Sequence, residues 1–137
     1  MSCGRKDFPP VDPAIPIVIF DLDGTLAVSA WPVRGAIGPP IPEGVEMLSH
    51  YAGLGYRTEI FTARPKIDKG LIWNWVHQHN LPVDAVTCGK AFGGLYIDDR
   101  AHCPEYAKSQ KKFVPAPSEE DLWGALKEEG EIEDAQG

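Results

Sequence analysis

Two periods of apolar and polar positions alternate along the chain. Ile17 to Phe20 is a short continuous apolar run, the pattern of a strand buried on both faces of a parallel sheet. Pro42 to Leu54 repeats at helical spacing, with Val45, Leu48 and Ala52 on one face and Met47 and Tyr51 beside it. Proline suits the first turn of that helix, and Gly53 or Gly55 can supply its left-handed stop. Tyr56 to Thr62 predicts a second strand, with Ile60 and Phe61 its most buried residues. Ile67 to Asn80 predicts a second helix, with Ile67, Leu71, Ile72, Trp75 and Val76 on one face. Trp73 falls off that stripe and is expected in a partner contact. His77 and His79, two positions apart, share no helix face and are expected to be exposed. Val83 to Thr87 and Leu95 to Ile97 predict a third and a fourth strand. Strand and helix in alternation predict an α/β fold, a three-layer α/β/α Rossmann-like parallel sheet with right-handed crossovers.

The flanks read differently. Residues 1–14 are proline-rich and aperiodic and predict a flexible arm before a core at 15–127. Ala27 to Pro42 is rich in glycine and proline and cannot be helical; it is either a flap over the end of the first strand or a rigid connector. Ala101 to Pro117 is expected to give a turn, a short helical stretch and an edge strand at Lys112 to Val114. Ser118 is a good N-cap for a last helix with Leu122, Trp123 and Leu126 on its apolar face. Residues 128–137 hold five acids and little apolar surface and predict disorder.

Composition narrows the function classes. A chain of 137 residues fits one domain. No apolar run reaches the length of a membrane span, and residues 1–12 lack the apolar stretch of a secretory signal. Cys3, Cys88 and Cys103 are odd in number and far apart, which suits free thiols and a cytoplasmic location. His102 beside Cys103 has no second pair at zinc-ligand spacing. The net charge of −7 lies wholly in the C-terminal segment: residues 1–117 hold twelve acids and twelve basic residues, residues 118–137 eight acids and one lysine. The body is nearly neutral and carries no basic stripe of the kind nucleic-acid binders show.

Two acids, Asp21 and Asp23, follow the first apolar run at once. A buried strand ends in acids only where they face a crevice, and in open α/β sheets that crevice lies beyond the carboxyl ends of the strands. Two close carboxylates repel unless a cation sits between them, and a hard divalent ion suits oxygen ligands. Gly24 permits a tight turn and close approach of the backbone to a ligand. An EF-hand loop counted from Asp21 would need glycine at its sixth position and glutamate at its twelfth; Leu26 and Pro32 stand there. A solvated turn and a phospho-accepting receiver domain are the remaining readings of these acids alone, and the tight D-x-D-G-T-L spacing argues against the receiver. Thr62, Arg64, Asp98 and Asp99 also follow predicted strands, and Lys90 lies in a neighbouring loop. All of them fall at one edge of the predicted sheet.

Asp21-Leu22-Asp23-Gly24-Thr25-Leu26 resembles the first motif of the haloacid dehalogenase superfamily of phosphatases and phosphotransferases. Thr62 is similar to its second motif, Lys90 to its third, and Asp98-Asp99 to the double-aspartate form of its fourth; Ala91 stands where many relatives have proline. Phe61-Thr62-Ala63-Arg64, with Ile37 to Pro42 before it, looks like small bacterial and phage members. The resemblance spans residues 16–100. It implies a Mg²⁺-dependent phosphomonoester hydrolase without a cap domain, acting on a sugar phosphate, nucleotide or another small phosphomonoester. Asp21 is implied as nucleophile and Asp23 as acid/base. Thr62 and Lys90 are implied to hold the phosphoryl group. Mg²⁺ would bind Asp21, the Asp23 carbonyl and one of Asp98 and Asp99. Gly24, Thr25, Ala63, Arg64 and Arg100 are the candidate substrate contacts, although an ion pair is an equal reading for either arginine. An open site suits a bulky substrate, or a small one covered by a partner in a homo-oligomer. The alternatives are a non-catalytic or regulatory module that binds Mg²⁺ and a phosphorylated ligand, and a phosphatase of nucleic-acid ends or of a phosphoprotein.

Overall fold

The computed structural model describes residues 8–30 and 35–109. Three strands form one parallel sheet in the order β1 (Ile17–Phe20), β2 (Arg57–Thr62), β3 (Ala85–Cys88). Helix α1 (Pro42–Gly53) joins β1 to β2. A 3-10 turn at Lys66–Asp68 and helix α2 (Lys69–Gln78) join β2 to β3. Two right-handed crossovers that progress in one direction place both helices on the same face of the sheet. The register agrees: Phe20 pairs with Ile60 and Ile60 with Val86, so all three point to that face. They meet Met47, Leu48 and Tyr51 of α1 and Ile72, Trp75 and Val76 of α2 in one core. Each such large side chain contributes about 1.5–3 kcal/mol by leaving water. No cap is inserted: the described parts of the intervals around α1 and α2 are loop, turn and those two helices.

The α/β reading holds, with shifts in its details. β2 and β3 begin one and two residues later than the pattern predicts, because the Tyr56 amide bonds back to Tyr51 O and the Val83 amide to Leu81 O instead of into the sheet. The second helix is divided, and Ile67, expected on its buried face, lies in the 3-10 turn at 79 % exposure. Asn80 stops the chain beyond α2 with a left-handed φ of 53°. Trp73 is partly buried against the core.

Two expectations are corrected. β1 is buried on one face, not two: Val18 and Phe20 point inward, while Ile19 is 59 % exposed on a face that no described helix covers. The fourth strand is absent. Leu95 to Ile97 is irregular, and Ile97 is 90 % exposed. The stretch is only three residues long and follows Gly93 and Gly94, which are costly to order in a strand. Local bonds hold it instead: the Tyr96 hydroxyl donates to the Ala91 carbonyl and accepts from the Gly93 amide.

At the C-terminal end of the described chain, α3 (Glu105–Ser109) is the short helical stretch expected there. The Tyr106 hydroxyl donates to the Thr25 carbonyl at 3.0 Å. Of residues 1–14, Phe8 and Val11 pack against the core, and the Tyr51 hydroxyl donates to the Pro9 carbonyl. The edge strand at Lys112 to Val114, the last helix and the acidic segment 128–137 lie outside the described residues.

Candidate functional site

The turn after β1 is built on one carbonyl. Leu22 O accepts the amides of Thr25, Leu26 and Ala27 at 3.2, 2.9 and 3.0 Å. Gly24, at a left-handed φ of 89°, returns its amide to Ala27 O at 2.7 Å. Leu22 and Leu26 are fully buried and anchor the turn. Asp21 and Asp23 flank Leu22 in sequence, and both stay partly accessible at the carboxyl end of β1.

β2 and β3 deliver the remaining groups. Thr62 ends β2 and is buried, and its Oγ1 accepts the Arg64 amide at 3.2 Å. The Lys90 amide donates to Thr62 O at 2.9 Å and the Gly89 amide to Arg64 O at 3.0 Å. Those two bonds carry the loop after β3 back across the end of β2. The Lys90 ammonium thereby reaches 3.8 Å from Asp21 Oδ1, with the lysine side chain 24 % and the aspartate 40 % exposed. It also lies over the rings of Tyr96, at 4.8 Å, and Phe61, at 5.9 Å.

Arg64 forms the other half. Its Nε and Nη2 fork the Asp23 carboxylate, each at 2.9 Å. Nη2 also donates to Ala36 O at 2.7 Å, and Nη1 lies 3.4 Å from Asp68. Burial opposes the guanidinium charge, but the hydrogen bond and charge of Asp23, with Asp68 behind them, outweigh it and raise the arginine pKa. Of the two readings of Arg64, substrate contact or ion pair, the structure shows the ion pair. The described part of the 27–42 loop is also fastened. Val28 N donates to Pro39 O, Ile41 N to Leu26 O and Trp75 Nε1 to Gly38 O.

Asp21, Asp23, Thr62, Arg64 and Lys90 therefore converge. Ala63 lies between two of them and is partly buried. Thr25 meets α3 through its carbonyl. Asp98, Asp99 and Arg100 sit apart, in an exposed turn. The Arg100 amide donates to Asp98 Oδ1 at 2.9 Å and holds that carboxyl below the usual range, with Asp99 next in effect. The Arg100 side chain pairs with Asp12 at 3.3 Å. Among the described residues, no group of three or more His, Cys, Asp or Glu lies close enough to hold a metal ion. Asp21 and Asp23 alone fall short of the six-oxygen shell Mg²⁺ demands, and Arg64 already occupies both Asp23 carboxylate oxygens.

Pattern reading did not single out Asp68 or the Ala36 carbonyl. Neither leaves a signal in the sequence: Arg64 precedes the helical segment, so its i, i+4 spacing to Asp68 carries no helical meaning, and a loop carbonyl has no side chain to mark it.

Residues 18–112 match the family model described as PITM 1-3, LNS2 domain. Human membrane-associated phosphatidylinositol transfer protein 2 is 34 % identical over 93 residues, 66 % of this chain and 6 % of that protein. Protein retinal degeneration B of Drosophila melanogaster is 30 % identical over 97 residues, 70 % of this chain and 7 % of that protein. The chain thus spans about one-fifteenth of the length of these relatives. A crystal structure from Vibrio cholerae covers 82 % of this chain and 98 % of its own, at 29 % identity and a TM-score of 0.56. The fold is the haloacid-dehalogenase-like α/β fold in its small capless form.

Proposed function

The chain belongs to the LNS2 domain family, and on that premise we propose that its site binds a phosphomonoester and hydrolyses it through an aspartyl phosphate on Asp21. The observation that carries this is the Asp21–Lys90 pair at 3.8 Å, open to solvent at the carboxyl end of β1. A phosphomonoester dianion repels a lone carboxylate; the ammonium beside Asp21 offsets that repulsion and draws the phosphoryl group to the nucleophile. The Thr62 hydroxyl, its oxygen already accepting from Arg64 N, has its proton to donate to a phosphoryl oxygen. An Asp21 oxygen forms the bond to phosphorus as the ester P–O bond breaks. Asp23 gives its proton to the departing alkoxide, then takes one from the water that cleaves the aspartyl phosphate, releasing phosphate and restoring Asp21. The residues gathered here do not complete a Mg²⁺ shell; a divalent cation held by Asp21 would supply further positive charge against the carboxylate–phosphate repulsion.

One observation favours a second reading. Both Asp23 oxygens accept from Arg64, so a protonated Asp23 gives up one of these bonds. A site that binds a phosphomonoester without turnover fits that geometry. Relatives named as membrane-associated phosphatidylinositol transfer proteins make a phosphorylated lipid headgroup a reasonable ligand for it. Turnover of p-nitrophenyl phosphate, with Mg²⁺ and with EDTA, separates the two. Hydrolysis supports the first reading. Phosphate binding without hydrolysis supports the second.

A further inference from the structure

Arg64 joins segments far apart in the chain through one buried guanidinium. Beyond the fork on Asp23 it reaches Ala36 in the loop before α1 and Asp68 at the start of α2. Its main chain adds Thr62 Oγ1 on one side and the Gly89 amide, beside Lys90, on the other. A fork fixes the plane of a carboxylate, which a single bond does not, and lysine cannot reproduce it. The same Nη2 that holds Asp23 Oδ1 holds the Ala36 carbonyl, so the acid and the loop share a donor.

We propose that Arg64 is the positioning residue of this site, setting the orientation of Asp23 and the seat of residues 35–41 as one unit. The catalytic half of this inference rests on the hydrolase reading above; the structural half does not. An acid delivers its proton only when one oxygen faces the leaving group, and a carboxylate released from its fork turns freely about its side chain. Ala36 is released with it, and strain then passes to the neighbouring loop bonds, Val28 N to Pro39 O and Ile41 N to Leu26 O.

The test compares the full chain with Arg64→Gln, Arg64→Lys and Asp23→Asn. Amide hydrogen exchange at Val28 and Ile41 is read alongside kcat and KM for p-nitrophenyl phosphate. Exchange at both amides is expected to quicken about tenfold in all three variants, because each breaks the fork from one end. In both arginine variants kcat is expected to fall on the order of 10²-fold, with KM within about twofold of the parent. The lysine variant keeps the charge without the fork, so parent-like behaviour there overturns the proposal. So does unchanged exchange in Arg64→Gln, or a KM that rises while kcat holds. If Arg64→Gln does not fold, Arg64→Lys decides by the same criteria and Asp23→Asn by amide exchange alone, since it also removes the acid itself. A parent without turnover overturns the hydrolase reading, and the exchange measurements still decide the role of Arg64.

Discussion

Gly44 lies in the first turn of α1, two residues after Pro42, and is buried against the acidic turn. A methyl group there would meet the Thr25 carbonyl carbon at 3.1 Å and the Tyr106 hydroxyl at 3.0 Å, with the Thr25 oxygen nearer still. Two of these are backbone atoms that cannot rotate away. In an unobstructed helix Gly→Ala gains about 0.8–1 kcal/mol. Here the gain is opposed by forced displacement, about 1–3 kcal/mol. Loss of the Tyr106–Thr25 hydrogen bond adds about 0.5–1.5 kcal/mol. Gly44→Ala should therefore cost roughly 1–3 kcal/mol, or about 3–5 °C of Tm for each of those kcal/mol in a chain of 137 residues. Gly53→Ala, in the last turn of the same helix, meets nothing within 4 Å and should leave Tm unchanged or raise it. Thermal melts of the two variants beside the parent give the answer. A Gly44→Ala protein as stable as Gly53→Ala would refute the claim that α1 seats directly on the acidic turn. Thr25 is two residues from Asp23, so the same displacement should lower turnover beyond what the lost stability explains.

Other expectations follow from single contacts. Lys90→Met should cut kcat by about 10²- to 10³-fold and move Tm little, because so exposed a pair adds at most about 1 kcal/mol to stability. Thr58→Val should destabilise by about 1–3 kcal/mol in a urea titration, because the fully buried Thr58 hydroxyl donates to the Pro82 carbonyl, which would lose its partner. Asp98 is held below the usual carboxylate range, so its contribution to the 98–100 turn is present above pH of about 4 and is lost as pH falls through its lowered native value. A carboxyl NMR titration should place its midpoint below those of other exposed acids, and a midpoint at or above theirs would contradict the Arg100 amide bond.

The parts legible in the sequence are those governed by local period. The stripe of α1 and the apolar runs of β1 and β2 place the elements but not every core residue: Met47 and Tyr51, expected beside the buried face, are buried with Leu48, Val45 and Ala52 are only partly so, and Phe61, expected among the most buried of β2, is 37 % exposed. Placing Asp21 and Asp23 at the end of β1, with Thr62 at the end of β2, needed only the rule that crevices open beyond strand ends. The parts not legible depend on partners distant in sequence. Arg64 and Asp23 are 41 residues apart, and nothing in either neighbourhood distinguishes a buried fork from two surface charges. Leu95 to Ile97 has a strand-like composition, but a strand needs an edge to pair with. Here a single tyrosine hydroxyl and two glycines settle the stretch into a local turn. Ile67 fits the helical stripe, yet Pro65, two residues before it, lies at extended backbone angles and leaves it in a 3-10 turn.

The central claim is that Asp21 takes the phosphoryl group. The direct measurement is peptide mass mapping of protein acid-quenched during turnover of p-nitrophenyl phosphate, for the parent and for Asp21→Asn. One added phosphoryl group is expected in the parent, on the peptide that carries Asp21, and neither adduct nor turnover in the variant, whose melt should match the parent's. Turnover that persists in Asp21→Asn, or a phosphoryl group found on another residue, would contradict it.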